Sequence, residues 1–173
     1  MKRIYAEATA EIATDPETLY DLVSDFENHP KIAGSGEVQA VHKSSTGPVK
    51  KGDVVRCDQL RDGKKYQTVS TINSAERGKA FSWLTGITPK LTYGEWKFEF
   101  QKLSDKNGQP NTKVTHSFEL QPSILSFILK PLLTMVLKKR IEKNAGDMAG
   151  TLKKIAKMKT SEEAANVKEN FVV

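Results

Sequence analysis

The chain has one cysteine, Cys57, so it can form no internal disulfide, and a reducing compartment such as the cytoplasm is the expected setting. Its three histidines, His29, His42 and His116, are too scattered to make zinc-type spacing with that cysteine. No G-x-S-x-G, phosphate-cradling glycine loop or dinucleotide fingerprint occurs. Gly34-Ser35-Gly36 is too short for one and follows a helical stretch rather than a strand. No cofactor and no metal is therefore expected. Long hydrophobic runs are also missing. The nearest, Ile124 to Leu137, is broken by Ser126, Lys130, Pro131 and Thr134, which argues against a membrane span. The opening MKRIYAEATAEI lacks the apolar centre of a signal peptide, and there is no internal repeat or low-complexity tract.

What is present is an ordinary globular composition: 38% apolar and 28% charged residues over 173 positions, enough for one domain with a real core. That domain is expected over residues 1–160, with residues 161–173 as a polar, frayed tail. The net charge of +6 fits a solvated lysine-rich surface, and it also permits transient contact with an anionic membrane surface. Nucleic acid is not an expected partner, because the aromatics fall on inward registers rather than between surface lysines.

The longest helical stretch, Ser123 to Lys159, organises the rest. Leu133, Leu137, Ile141, Ala145, Met148, Leu152 and Ile155 recur at steps of three and four, with Lys138, Lys139, Lys143, Lys153, Lys154 and Lys157 opposite. Pro131 suits the first position of this helix, and the lead-in Ile124 to Leu129 reads as a separate short turn. Such a stripe needs a broad apolar partner. The upstream chain supplies one. Arg3 to Ile12 alternates as a strand with Ala6, Ala8 and Ala10 on the buried side, small enough to admit a close neighbour. Asp15-Pro16 starts a helix that breaks near Asp25, and a second short helix is expected at about Phe26 to Ile32. From Glu37 to Leu120 the pattern is about six strands joined by turns. Asp62-Gly63 centres one hairpin, and Asp105 to Asn111 is a turn-rich loop. The expected fold class is α+β: a curved antiparallel sheet of about seven strands wrapped around a long C-terminal helix, with two short helices after the first strand.

Ala13-Thr14-Asp15-Pro16-Glu17-Thr18-Leu19-Tyr20-Asp21-Leu22-Val23-Ser24-Asp25-Phe26 after the opening strand, followed by Pro30, resembles the SRPBCC superfamily. Gly52-Asp53 before the third strand, Trp96 in a long late strand and Pro131 before the final helix resemble it too. The likeness covers roughly Met1 to Lys159 and is strongest to the polyketide cyclase/dehydrase and lipid-transport branch. It implies the helix-grip fold of START domains and the birch-pollen allergen, and a small hydrophobic ligand. The superfamily hosts carriers, receptors and cyclases, so the likeness implies no particular activity.

A helix gripped by a curved sheet leaves a cavity wherever inner side chains do not fill it. The inward register offers Phe81, Trp83, Trp96, Phe98, Phe100 and Phe118 from the strands. The helical segment offers Leu129, Leu133, Leu137 and Ile141. His116 lies on the same register, between Val114 and Phe118, as a polar anchor or an acid/base; Tyr66 and Arg56 are further candidate anchors. His29 is expected exposed or capping near the cavity mouth, His42 exposed, and Cys57 a structural thiol. The leading expectation is a binder or carrier of a lipid-like or polyketide-like ligand. The alternatives are a cyclase or dehydratase using His116 in the same cavity, and an interaction protein whose basic helix meets a membrane or ribosome.

Overall fold

The computed structural model describes residues 5–43, 47–88, 90–120, 130–159 and 167–172, the side chains at 87–88, 91–93, 130–142, 159 and 167–172 excepted. Strand β1 (Tyr5–Ile12) buries Ala6, Ala8, Ala10 and Ile12 on one face, as its alternation dictates. Helix α1 (Pro16–Ser24) follows. Asp15 caps it: the Thr18 amide donates to Oδ1 at 2.8 Å and the Thr18 hydroxyl to Oδ2 at 2.7 Å. Removing that cap in Asp15→Ala is expected to cost about 1 kcal/mol, read as a lower urea midpoint with unchanged slope. The chain breaks at Asp25, makes a 3-10 turn at Phe26–Asn28 and a single helical turn, α2 (His29–Ile32).

Six strands run from there as an antiparallel meander: β2 (Val38–His42), β3 (Val54–Arg61), β4 (Lys64–Glu76), β5 (Ala80–Thr88), β6 (Leu91–Lys106) and β7 (Gln109–Leu120). β6 and β7 run into the stretch expected as a loop because the turn that joins them is tighter. Asp62 and Gly63 both have positive φ (51° and 74°), as do Asn107 and Gly108 (54° and 74°). Each pair closes a two-residue hairpin, so the turn-rich loop expected at Asp105 to Asn111 contracts to Asn-Gly. Helix α3 (Lys130–Lys159) is the long C-terminal helix. The expected lead-in turn, Ile124 to Leu129, lies outside the described residues.

The strand order is β2-β3-β4-β5-β6-β7-β1-β8, all neighbours for which a register is resolved being antiparallel. The last strand, β8 (Val167–Val172), corrects the frayed tail expected from 161 onward: it pairs with the free edge of β1, from Tyr5↔Val172 to Ala10↔Val167. Val167, Phe171 and Val172 give this short stretch strand-forming residues that its charged neighbours masked. Seven strands thus form the curved sheet expected from sequence, and β8 extends it.

Helix α3 packs chiefly on β1, β7, β8 and α2. Among its described side chains, the buried apolar ones are Ala145, Met148, Ala149, Leu152, Ile155 and Ala156, and the β1 alanines let the helix approach closely. The β2–β4 end of the sheet stands away from the helix. The space that this leaves is the site.

Candidate functional site

The period-two register of adjacent strands brings one set of side chains onto the concave face. Trp83 of β5 lies opposite Trp96 of β6, Trp96 opposite Phe118 of β7, and Phe98 opposite His116. The rings touch: Trp96 and Phe118 have centroids 4.7 Å apart, and the His116 imidazole stacks on Phe98 at 3.9 Å, within 9° of parallel. Phe26 and His29 close the set from the helical side, each 5.4 Å from Trp83. Gly94 makes room for this packing, because a methyl group there would stand 2.3 Å from the Phe118 ring.

These residues form one wall of a cavity of about 130 Å³. The second wall is polar: Gln59 and Arg61 of β3 and Thr68 and Ser70 of β4. Asn144, Asp147 and Thr151 from α3 face them. The Gln59 amide nitrogen donates to the Thr68 hydroxyl at 2.7 Å, and the Tyr66 hydroxyl donates to Gln59 Oε1 at 2.9 Å. At the rim, Glu37 takes Arg61 Nε at 2.8 Å and Lys143 Nζ at 2.8 Å on different carboxylate oxygens. Burial alone would raise the Glu37 pKa, but the hydrogen bonds from Arg61 and Lys143 outweigh it and hold the carboxyl at about 2.

Two imidazoles lie in this cavity. His29 Nε2 donates to the Val23 carbonyl at 2.9 Å, and burial pushes its pKa down to about 4. His116 is buried, and among the described residues neither ring nitrogen has a hydrogen-bond partner. Burial, with His29 adding to it, pushes its pKa down to about 3 against the Met148 backbone, which favours the charged form but lacks hydrogen-bond geometry. Both rings are therefore neutral near pH 7. An orphaned, buried imidazole is costly unless something supplies its bond. It offers one donor and one acceptor to whatever enters.

The structure sorts the residues expected from sequence. Trp83, Trp96, Phe98, His116 and Phe118 line the cavity together. Phe81 and Phe100 are not among its lining residues. Both pack edge-on against Tyr20, at 6.0 and 6.3 Å, where α1 covers that end of the sheet. Tyr66 stands at the rim, bonded to Gln59 and, at 3.2 Å, to Glu37, with Arg61 over its ring. Arg56 is exposed, because strand alternation sends it outward when Cys57 points in. Leu129 lies outside the described residues, and so do the side chains of Leu133, Leu137 and Ile141. His29 is buried rather than exposed or capping, and the nearby Asp25 pairs with Lys43 at 2.9 Å. His42 is exposed and pairs with Asp58. Cys57 lines the cavity with its thiol pushed up to about 12, first by burial, so it is no nucleophile near neutral pH.

The polar wall went unread in the sequence, yet its signal was there. Cys57, Gln59 and Arg61 keep one face of β3, and Thr68 and Ser70 keep the matching face of β4. Among the described residues no cluster of three or more His, Cys, Asp or Glu side chains could hold a metal ion, and no helix is long and apolar enough to cross a membrane.

Comparison with known proteins agrees with this architecture. The family model described as polyketide cyclase / dehydrase and lipid transport matches residues 3–156. No curated protein matches the sequence significantly. Among solved structures, the polyketide-cyclase-like protein Cgl2372 of Corynebacterium glutamicum aligns with a TM-score of 0.61 at 20% identity, over 91% of each chain. Ara h 8.0201 aligns at 0.58 and 15% identity, over 93% of this chain and 100% of its own. The di-domain ARO/CYC protein StfQ of the steffimycin biosynthetic pathway aligns at 0.58 and 16% identity, over 91% of this chain and 50% of its own. Identities this low show a shared fold.

Proposed function

Because the chain belongs to the polyketide cyclase/dehydrase and lipid-transport family, we propose that it binds a small, neutral, largely aromatic ligand bearing a hydroxyl or keto group. The ligand sits between the sheet and α3, and the protein acts as its carrier or sensor. The orphaned His116 imidazole, flat on Phe98 inside an aromatic wall, carries this reading. A cavity of about 130 Å³ is of the size that accepts one or two fused rings rather than a long chain. With His116 and His29 both uncharged, that end of the cavity has no cation to balance a buried carboxylate, whereas a hydroxyl or ketone can pair with an imidazole nitrogen. Affinity comes from apolar burial, and discrimination from the one hydrogen bond that the site otherwise leaves unmade.

The test compares 2-naphthol with naphthalene, read by the fluorescence of Trp83 and Trp96. Wild type is expected to prefer 2-naphthol by about tenfold or more, a difference of roughly 1.4 kcal/mol, and His116→Phe to lose the preference while still binding naphthalene. The same variant, freed of two orphaned nitrogens, is expected to be at least as stable as wild type at pH 7. Equal preference in wild type and variant would remove His116 as the anchor. Native mass spectrometry of gently purified protein would identify a ligand carried along.

The cyclase or dehydratase reading uses the same atom. A neutral imidazole in a shielded site can donate to a keto oxygen and polarise it, and it can take the adjacent proton only where bound ligand raises its pKa from about 3. It is favoured over carriage if a bound keto compound is converted at a rate that His116→Phe abolishes while binding persists.

A further inference from the structure

The geometry points to Glu37, Arg61 and Lys143 as an ion-pair latch that sets how fast ligand enters and leaves the cavity. It rests on the reading that the cavity holds a ligand. Helix α3 packs on the β1/β7 side of the sheet and stands off from β2–β4. Among the described residues, the gap is crossed on the open side by the segment after α2, through three links. The Gly34 amide donates to the Thr151 hydroxyl at 2.8 Å, Lys154 Nζ donates to the Ala33 carbonyl at 2.5 Å, and Lys143 Nζ donates to Glu37 Oε1 at 2.8 Å. Glu37 is in turn tied to β3 by Arg61 and to β4 by the Tyr66 hydroxyl. One carboxylate therefore joins strand and helix across the space that a ligand must pass.

The parts are unequal. Glu37 and Arg61 are largely shielded and line the cavity, whereas half of the Lys143 side chain is exposed. An exposed ammonium on one side of a buried carboxylate is the link that opens first, since water and salt replace it at little cost. Releasing it leaves Glu37 still satisfied by two N–H donors of Arg61. The latch can thus open without stranding a buried charge, which distinguishes it from the Arg61 bond.

Lys143→Met removes only this link. Hydrogen exchange of the intact variant is expected to speed up at residues 33–38 and to stay unchanged in β5 and β6. Stopped-flow binding of 2-naphthol is expected to show association and dissociation faster by about two- to fivefold together, with Kd nearly constant. In wild type the association rate of this neutral probe should rise with added salt, and that dependence should vanish in the variant, with Lys143→Arg restoring it. Unaltered rates and exchange in Lys143→Met overturn the latch. So does a loss of affinity carried by dissociation alone, which would make Lys143 a ligand contact. If wild type fails to bind 2-naphthol, the proposed ligand class falls, and the exchange arm alone decides the latch: faster exchange at 33–38 upholds it and unchanged exchange overturns it.

Discussion

Taking the protein from pH 7 to pH 4 is expected to remove several kcal/mol of stability, a large share of the roughly 5–15 kcal/mol typical of a domain. The cause is the pair of neutral imidazoles. His29 and His116 are held at about 4 and about 3, chiefly by burial, against an unfolded value near 6.5. Below that unfolded value the unfolded chain binds protons that the folded protein refuses, so stability falls as pH falls. Each histidine contributes up to about 1.4 kcal/mol per pH unit until its folded pKa is reached. Above pH 6.5 neither contributes a slope. Glu37 works in the other sense: its pKa is lowered to about 2, so its contribution is present above the unfolded carboxylate value and is lost only as pH falls from there towards about 2. The window between 6.5 and 4.5 therefore belongs to the histidines. Urea unfolding at half-unit pH steps should show the decline, and His116→Phe should remove about half of its slope. A flat urea midpoint between pH 7 and 4.5, or an unaltered slope in the variant, would contradict the buried, uncharged state of the rings.

Period-two alternation alone places Trp83, Trp96, Phe98, His116 and Phe118 on one face, because a residue's side of a strand depends on parity. Parity does not say where along the sheet the covering helices lie. Phe81 and Phe100 share the correct face but fall beneath Tyr20 of α1, so they became core rather than lining. The polar wall was hidden by residue type. Gln59, Thr68 and Ser70 read as ordinary strand positions until the curl of the sheet turns them towards α3. His29 shows the same limit from the helical side. Beside a proline in a short helix it reads as exposed, yet its stack on Phe26 and its bond to Val23 bury it, and both depend on how the chain breaks at Asp25. Glu37 carried no signal in one dimension, since its three partners come from β3, β4 and α3.

Gly34→Ala is expected to cost about 2–4 kcal/mol, more than any other single methyl group added to this chain's glycines in the segment after α2 or in the α3 contact. A Cβ at Gly34 would stand 1.8 Å from the Asp147 carbonyl oxygen and 2.6 Å from the Thr151 amide nitrogen. Both are backbone atoms of α3, so no side chain can swing aside. The facing position, Gly150, is close but less tight, its own Cβ site lying 3.1 Å from Gly34 Cα. The segment would have to lift from the helix, breaking the Gly34–Thr151 and Lys154–Ala33 bonds and drawing Glu37 from Lys143. Two other glycines separate this contact from ordinary glycine effects. Gly36 has open space around it but a φ of 65°, so Gly36→Ala should cost about 1 kcal/mol through backbone strain alone. Gly146 lies within α3 with open space, and Gly146→Ala should stabilise by about 0.5–1 kcal/mol through helix propensity. Thermal unfolding of the three variants should rank them in that order. A Gly34→Ala protein within about 0.5 kcal/mol of wild type would mean that the segment does not rest on the helix. The cavity would then lack the rim that the Lys143 link requires, so this one substitution tests the closure of the site as well as the packing beneath it.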